Sequence, residues 1–317
     1  MFSIQSNHKN EFQLLVLIDN IAQTMVEIIP SCGAILHGFT VMHDGAPLNI
    51  VDHYENKAAT DYSFESGGFK SAKLSPYVCR MKNGQYRFAE HDYKSEGFYL
   101  GDHAIHGLIY KQPFEVIEQG ADAEKAFVKM RYQYRKLDSG YPFNYDCEIT
   151  YQLSSGNQLH ISTCIINKDS GHIPVTDGWH PYFSFGSSIN NCMLEFQSTA
   201  QVEFDADLLP TGKQHPYEAF GSLRTIGDQF FDNCFVVNFA ECQPMLVFRD
   251  PAQKIQLEIR PDTSYPYLQL YTPPHRNSIA IENLSAVPDA FNNGMGLITL
   301  PAGESTSFST QYSIHLL

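Results

Sequence analysis

Two short segments of this chain carry side chains able to exchange protons near neutral pH: Trp179-His180-Pro181-Tyr182-Phe183 and, far downstream, Ile279-Ala280-Ile281-Glu282. An imidazole among aromatic rings and a carboxylate fixed on a strand can supply a general acid and a general base. The rings also suit the apolar faces of sugars. Glu282 follows Ile279 and Ile281 at alternate positions, so on a strand it points to the opposite face, with the small Ala280 beside it leaving room for a ligand. Plainer roles fit the same residues: a hydrogen-bonded histidine in an aromatic core and a solvent-facing glutamate. Asp232, in Phe231-Asp232-Asn233-Cys234-Phe235, makes with Glu282 the carboxylate pair that a glycoside hydrolase needs. The run Gly101-Asp102-His103-Ala104-Ile105-His106-Gly107-Leu108 offers Asp102, His103 and His106 to a metal. No further Cys/His cluster completes a closed site, so neither a metal nor another cofactor is expected.

Such groups need rigid strands to hold them, and period two dominates the chain. In Phe127-Arg135, Val128, Met130, Tyr132 and Tyr134 alternate with Lys129, Arg131, Gln133 and Arg135, the pattern of a half-buried antiparallel strand. Tyr145, Cys147, Ile149, Tyr151 and Leu153 repeat it against Asp146, Glu148, Thr150, Gln152 and Ser154, which are expected to face water. After a Ser154-Ser155-Gly156-Asn157 turn the meander continues through Leu159-Ile165. Two more runs alternate: Lys254-Arg260 turns Ile255, Leu257 and Ile259 inward, and Ser307-Leu316 puts Phe308, Thr310, Tyr312, Ile314 and Leu316 on one face. No capped stretch of helical period, linker, repeat or shift in composition interrupts this series. The expected architecture is all-β, a large antiparallel β-sandwich with minor helix, as a single domain over residues 1–317.

Composition narrows the partners. With 21 basic against 35 acidic residues the net charge is -14, and no Lys/Arg cluster is suited to a phosphate backbone, so nucleic acid is not an expected partner. The N-terminus lacks a basic segment followed by an apolar core, and no apolar run approaches the ~20 residues of a spanning helix, so a soluble cytoplasmic protein is expected. The seven cysteines (Cys32, Cys79, Cys147, Cys164, Cys192, Cys234, Cys242) are odd in number, scattered and free of Cys-x-x-Cys, as for reduced thiols filling a core. Asn283-Leu284-Ser285 is a coincidental sequon in such a protein. No Gly-x-Gly-x-x-Gly, P-loop or Gly-x-Ser-x-Gly element supports nucleotide chemistry or a serine nucleophile.

The run Gly178-Trp179-His180-Pro181-Tyr182-Phe183 and the Glu282 segment followed by Pro288-Asp289-Ala290-Phe291-Asn292 resemble the aldose 1-epimerase (galactose mutarotase) family. The resemblance extends from about Ser75 to the C-terminal strand, with its Pro301-Ala302-Gly303-Glu304-Ser305 turn. It implies a many-stranded sandwich that binds sugar, with His180 as acid and Glu282 as base. It further implies that His106, in the family's His-Gly-Leu segment, Arg80, in its Asn-Arg-Ile segment, and Asp232 bond sugar hydroxyls. Arg80 before a glycine turn and Asp232 in a turn also have ordinary surface roles. The chain departs from the family pattern at Cys79, in place of the usual Asn, and at Asn283, where members often carry proline. The expected function is therefore a cofactor-free aldose 1-epimerase acting on a small-molecule sugar, with no membrane or nucleic-acid partner. The aldose and the oligomeric state stay open, and a glycoside hydrolase and a non-catalytic sugar-binding protein are the alternatives.

Overall fold

The computed structural model describes residues 1–241 and 244–317; Cys242 lies outside the described residues. Two large antiparallel sheets dominate. The first has nine strands and carries the meander Glu115–Ala121, Lys125–Arg135, Asn144–Ser154 and Gln158–Asn167, continued by Ser305–Leu316, Ile255–Pro261 and Leu246–Asp250. The second has eight, with Ser198–Phe204, Asp232–Val237, Tyr267–Tyr271, Ile279–Leu284, Gly178–His180 and Ala72–Leu74 in consecutive order. A five-stranded N-terminal sheet, Phe2–Lys9 to Ala46–Asn49, packs beside the meander. The only α-helices among the described residues are Lys57–Ser63 and Ala290–Asn293, so the β-sandwich with minor helix read from period two is the fold.

The large sheets meet through the side chains that the alternation sends inward. Tyr151 lies edge-on to Trp179 at 6.0 Å and Tyr312 to Phe183 at 5.5 Å. Ile279, Ile281 and Asn283 point the same way, and Asn283 accepts a hydrogen bond from Thr310 Oγ1 at 2.9 Å. The family's frequent proline is thus replaced here by a core amide that ties the two sheets together. Its complete burial also leaves the sequon without an accessible acceptor.

Two details differ from the sequence pattern. Asp146 and Glu148 are buried instead of facing water, because Arg135 folds over the first at 2.6 Å while Lys129 and Arg131 close on the second at 2.6 and 2.5 Å. Cross-strand cations hide these carboxylates while leaving the inward face apolar. Leu316 is 49% exposed, since the buried face of its strand ends at Ile314 where the sheet runs out.

Candidate active site

The register of the eight-stranded sheet brings the two proton-exchanging segments together. Gly178 pairs with Leu284 and Tyr182 with Ala280, which sets His180 directly opposite Glu282 on the face away from the inter-sheet core. Pro181, which has no N–H to give a ladder, sits at the interruption between the Gly178–His180 and Tyr182–Phe183 strands, and its carbonyl accepts from the Ile281 N–H at 3.1 Å. Both side chains are buried, and His180 Nε2 lies 3.3 Å from Glu282 Oε1. On the next strand Gln269 is opposite Glu282, and its Nε2 donates to Asp232 Oδ1 at 3.0 Å. A row of polar groups thereby crosses the outer face of a sheet whose inner face is mainly apolar.

The remaining predicted residues arrive on loops held by backbone bonds. His106 adopts a left-handed φ of 64° and Gly107 one of 77°; a Cβ on Gly107 would sit 2.2 Å from the Ser75 carbonyl oxygen. Only glycine allows that approach, which lets the Leu108 N–H reach Ser75 O at 2.8 Å and the His106 N–H reach Cys79 O at 2.9 Å. The His106 ring then packs edge-on to His180 at 4.8 Å and to Phe69 at 4.6 Å. Arg80 is fixed from below by the Pro288–Asn292 segment. Asp289 donates its N–H to Arg80 O at 2.6 Å and accepts from the Lys82 N–H at 2.8 Å, and Asn292 reaches Gln85 O at 2.8 Å. This loop positions the backbone of the Arg80–Met81 strand.

Arg80, His106, His180, Asp232 and Glu282 all line one cleft of about 530 Å³, together with Gln269, Tyr182, Cys79 and Phe69. Asp102 and His103 take no part in it. Asp102 is exposed, and buried His103 accepts the Asn83 N–H at 3.1 Å on Nδ1, a structural role. Among the described residues no group of three His, Cys, Asp or Glu side chains is placed to hold a metal ion. Gln269 escaped the sequence reading. The alternation Leu268-Gln269-Leu270 marks it as outward, but only the strand register shows that outward means beside Glu282.

Burial governs the electrostatics. It lowers His180 to about 4, and it raises Glu282 well above the ordinary carboxylate range, with Asp232 adding to the rise and Arg80 opposing it. It also lowers His106, with His180 and Arg80 adding to the shift, and raises Asp232 against the pull of Arg80 and the Gln269 bond. Burial thus favours the neutral form of both His180 and Glu282, and their 3.3 Å contact places them within reach of a shared proton. Among the described residues, four buried polar atoms in the cleft lack a hydrogen-bond partner: Nδ1 of His106, Nδ1 of His180, Oε1 of Gln269 and Oε2 of Glu282. Unpaired buried groups carry a desolvation penalty, so this concentration suits a ligand rich in hydroxyls.

The profile of the family described as Aldose 1-epimerase matches residues 14–313, nearly the whole chain. The chain belongs to the aldose 1-epimerase family. Family membership carries isomerase activity of the aldose 1-epimerase, or mutarotase, type. The chain is 25% identical over 243 residues to an uncharacterized Escherichia coli protein, YihR, covering 73% of this chain and 74% of that one. It is likewise 25% identical to a Haemophilus influenzae aldose 1-epimerase over 64% of each chain, just under two thirds of that protein. The same fold occurs in a galactose mutarotase-like protein of Clostridium acetobutylicum (TM-score 0.86, 18% identity, 100% of this chain and 99% of that one). It occurs also in a galactose 1-epimerase of Lactobacillus acidophilus (TM-score 0.80, 18% identity, 99% and 98% covered).

Proposed function

We propose that this aldose 1-epimerase interconverts the α and β anomers of a free aldohexose, with Glu282 as base and His180 as acid. The observation that carries the assignment is the 3.3 Å His180–Glu282 contact, buried in a cleft with four unpartnered polar atoms. Arg80, together with a sugar hydroxyl donating to Glu282 Oε2, favours the carboxylate and moves the shared proton to His180 Nε2. Glu282 then takes the proton of the C1 hydroxyl as the C1–O bond of the ring breaks, and the ring oxygen receives the proton of His180. Glu282 is now the neutral acid and His180 the neutral imidazole, the forms that burial favours, so the site accommodates the open-chain aldehyde without net charge. Rotation about C1–C2 and closure on the other carbonyl face run the transfers backwards.

Arg80, His106 and Asp232 would hold hydroxyls so that the reacting atoms stay aligned. Gln269 joins them, with one end of its amide on Asp232 and the other without a partner. No cofactor enters these steps. Unpaired cysteines, among the described residues, support a reducing cytoplasmic setting, and residues 1–317 act as one domain in this reading. Among the described residues no helix is long and apolar enough to cross a membrane. The test is polarimetry or saturation-transfer NMR on freshly dissolved single anomers of an aldose panel. Acceleration over the spontaneous rate supports the proposal, and sugar binding with no acceleration would make the protein a sugar sensor instead.

A further inference from the structure

One buried charge pair lies behind the reacting face and takes no part in the proton transfers. Of the lysines and arginines among the described residues only Lys73 is buried. It stands on the Ala72–Leu74 strand paired with Trp179, so it shares the inter-sheet face of the tryptophan, while Ala72 lies opposite His180. From there its ammonium meets three consecutive residues: Asp177 Oδ1 at 2.5 Å, Gly178 O at 3.3 Å and the Trp179 ring, whose centroid is 4.4 Å away. The next residue is His180. The same segment also takes the backbone of the histidine, since the Ser71 N–H donates to His180 O at 2.9 Å.

The strand that carries His180 needs such a hold. Gly178–His180 is only three residues long and stops at Pro181, which has no N–H for the ladder. Asp177 passes the hold on to the strand of the base. Its N–H donates to Ser285 Oγ at 2.8 Å, its carbonyl accepts the Ser285 N–H at 2.8 Å, and the Tyr265 hydroxyl donates to its Oδ1 at 2.7 Å. Ser285 directly follows Ile279–Leu284, the strand of Glu282. One ion pair is thus bonded both to the residues leading into His180 and to the end of the Glu282 strand. Stability is a weak reason to bury two charges, because apolar side chains of similar volume fill a core at least as well. Fixing a geometry is a stronger one.

We infer that Lys73 and Asp177 are positioning residues of the anomerisation, holding the His180 backbone so that its imidazole stays at proton-transfer distance from the sugar opposite Glu282. The inference rests on the mutarotase reading and adds a support to its machinery. Its test measures kcat and KM by saturation-transfer NMR on D-glucose and D-galactose, with methyl glycoside binding by calorimetry, in the native protein and two variants. Lys73→Met/Asp177→Asn removes both charges and keeps an acceptor for Tyr265, whereas Ser285→Ala keeps the ion pair and removes only the bond from the Asp177 N–H. In the double variant kcat should fall roughly ten- to hundredfold, the scale of a small misplacement of a reacting group, with KM and methyl glycoside affinity within about twofold of native. In Ser285→Ala a fall of at least roughly threefold is expected, again without a change in KM. The double variant decides if its circular dichroism is native, and Ser285→Ala decides if it does not fold. A smaller loss of kcat in the deciding variant, or a loss that KM follows in step, overturns the positioning role and leaves the mutarotase reading intact. No acceleration of either sugar by the native protein removes both.

Discussion

Replacing Glu282 by Gln tests the proton count directly. The amide keeps the size of the carboxyl and can still meet His180, so the fold should survive, but the proposed base is gone, and with it the proton it would share with His180. The rate consequence is a fall in kcat of about 10²–10⁴, the usual contribution of one general acid or base, with little change in the affinity for an unreactive sugar. A second consequence concerns stability. Glu282 is 2% exposed and burial raises it well above its ordinary value of 4.5, so between 4.5 and its folded value the native state holds a proton that the unfolded chain has released. Stability must then fall as pH rises through that window, by up to about 1.4 kcal/mol per pH unit for one proton, and the amide removes this loss. His180 contributes with the opposite sign. Its folded value near 4 lies below 6.5, so in that lower window the unfolded chain holds the extra proton and stability falls as pH falls. Both proteins contain His180, so the difference between their curves reports Glu282 and its coupling to His180. Urea unfolding of both proteins across about pH 5 to 8 should show the native protein losing ground to the variant as pH rises. Parallel stability curves, or a rate within about tenfold of the native enzyme, would refute the buried-base reasoning.

Changing His180 to Asn should preserve sugar binding by calorimetry while lowering kcat by ~10²–10⁴, and near-native turnover would remove it from the mechanism. The pH profile of kcat/KM should hold toward pH 4 on the acid side, because burial lowers His180 to about 4 and so delays the second proton; an acid limb at the ordinary imidazole value would contradict the shared-proton pair. On the alkaline side the rate should fall when the pair loses its one proton, above the ordinary carboxylate range. A methyl glycoside of the preferred sugar should inhibit competitively without being consumed, because it has no C1 hydroxyl proton to give up; release of methanol would instead favour a glycoside hydrolase. Lys73 and Asp177 are both fully buried and 2.5 Å apart, with Tyr265 donating to the same carboxylate at 2.7 Å and the Lys73 ammonium 4.4 Å from the Trp179 ring centroid. Lys73→Met should therefore lower unfolding stability by about 3–5 kcal/mol in urea titration, and a loss below about 1 kcal/mol would show the pair to be dispensable.

The period-two runs already specify antiparallel strands and the faces they bury, because the alternation of side chains is a property of each strand alone. Tyr145 through Leu153 point inward as their pattern requires, and Ile279 and Ile281 turn Glu282 to the other face. That His180 and Glu282 are candidates for acid and base was likewise readable from residue type and motif. Partnership was not. Roughly a hundred positions separate the two residues, and strand register, which sets His180 opposite Glu282 and Gln269 beside it, depends on long-range pairings that no local period encodes. The same is true of Asp146 and Glu148, whose polar identity pointed to water until cations on the neighbouring strands covered them. The close approach of Gly107 to Ser75 and the grip of Asp289 on the Arg80 backbone arise only when separate segments pack together. The sequence determined which groups could react and which face of each strand carried them; the tertiary structure decided which groups meet, because distance in space and desolvation are set by packing between segments.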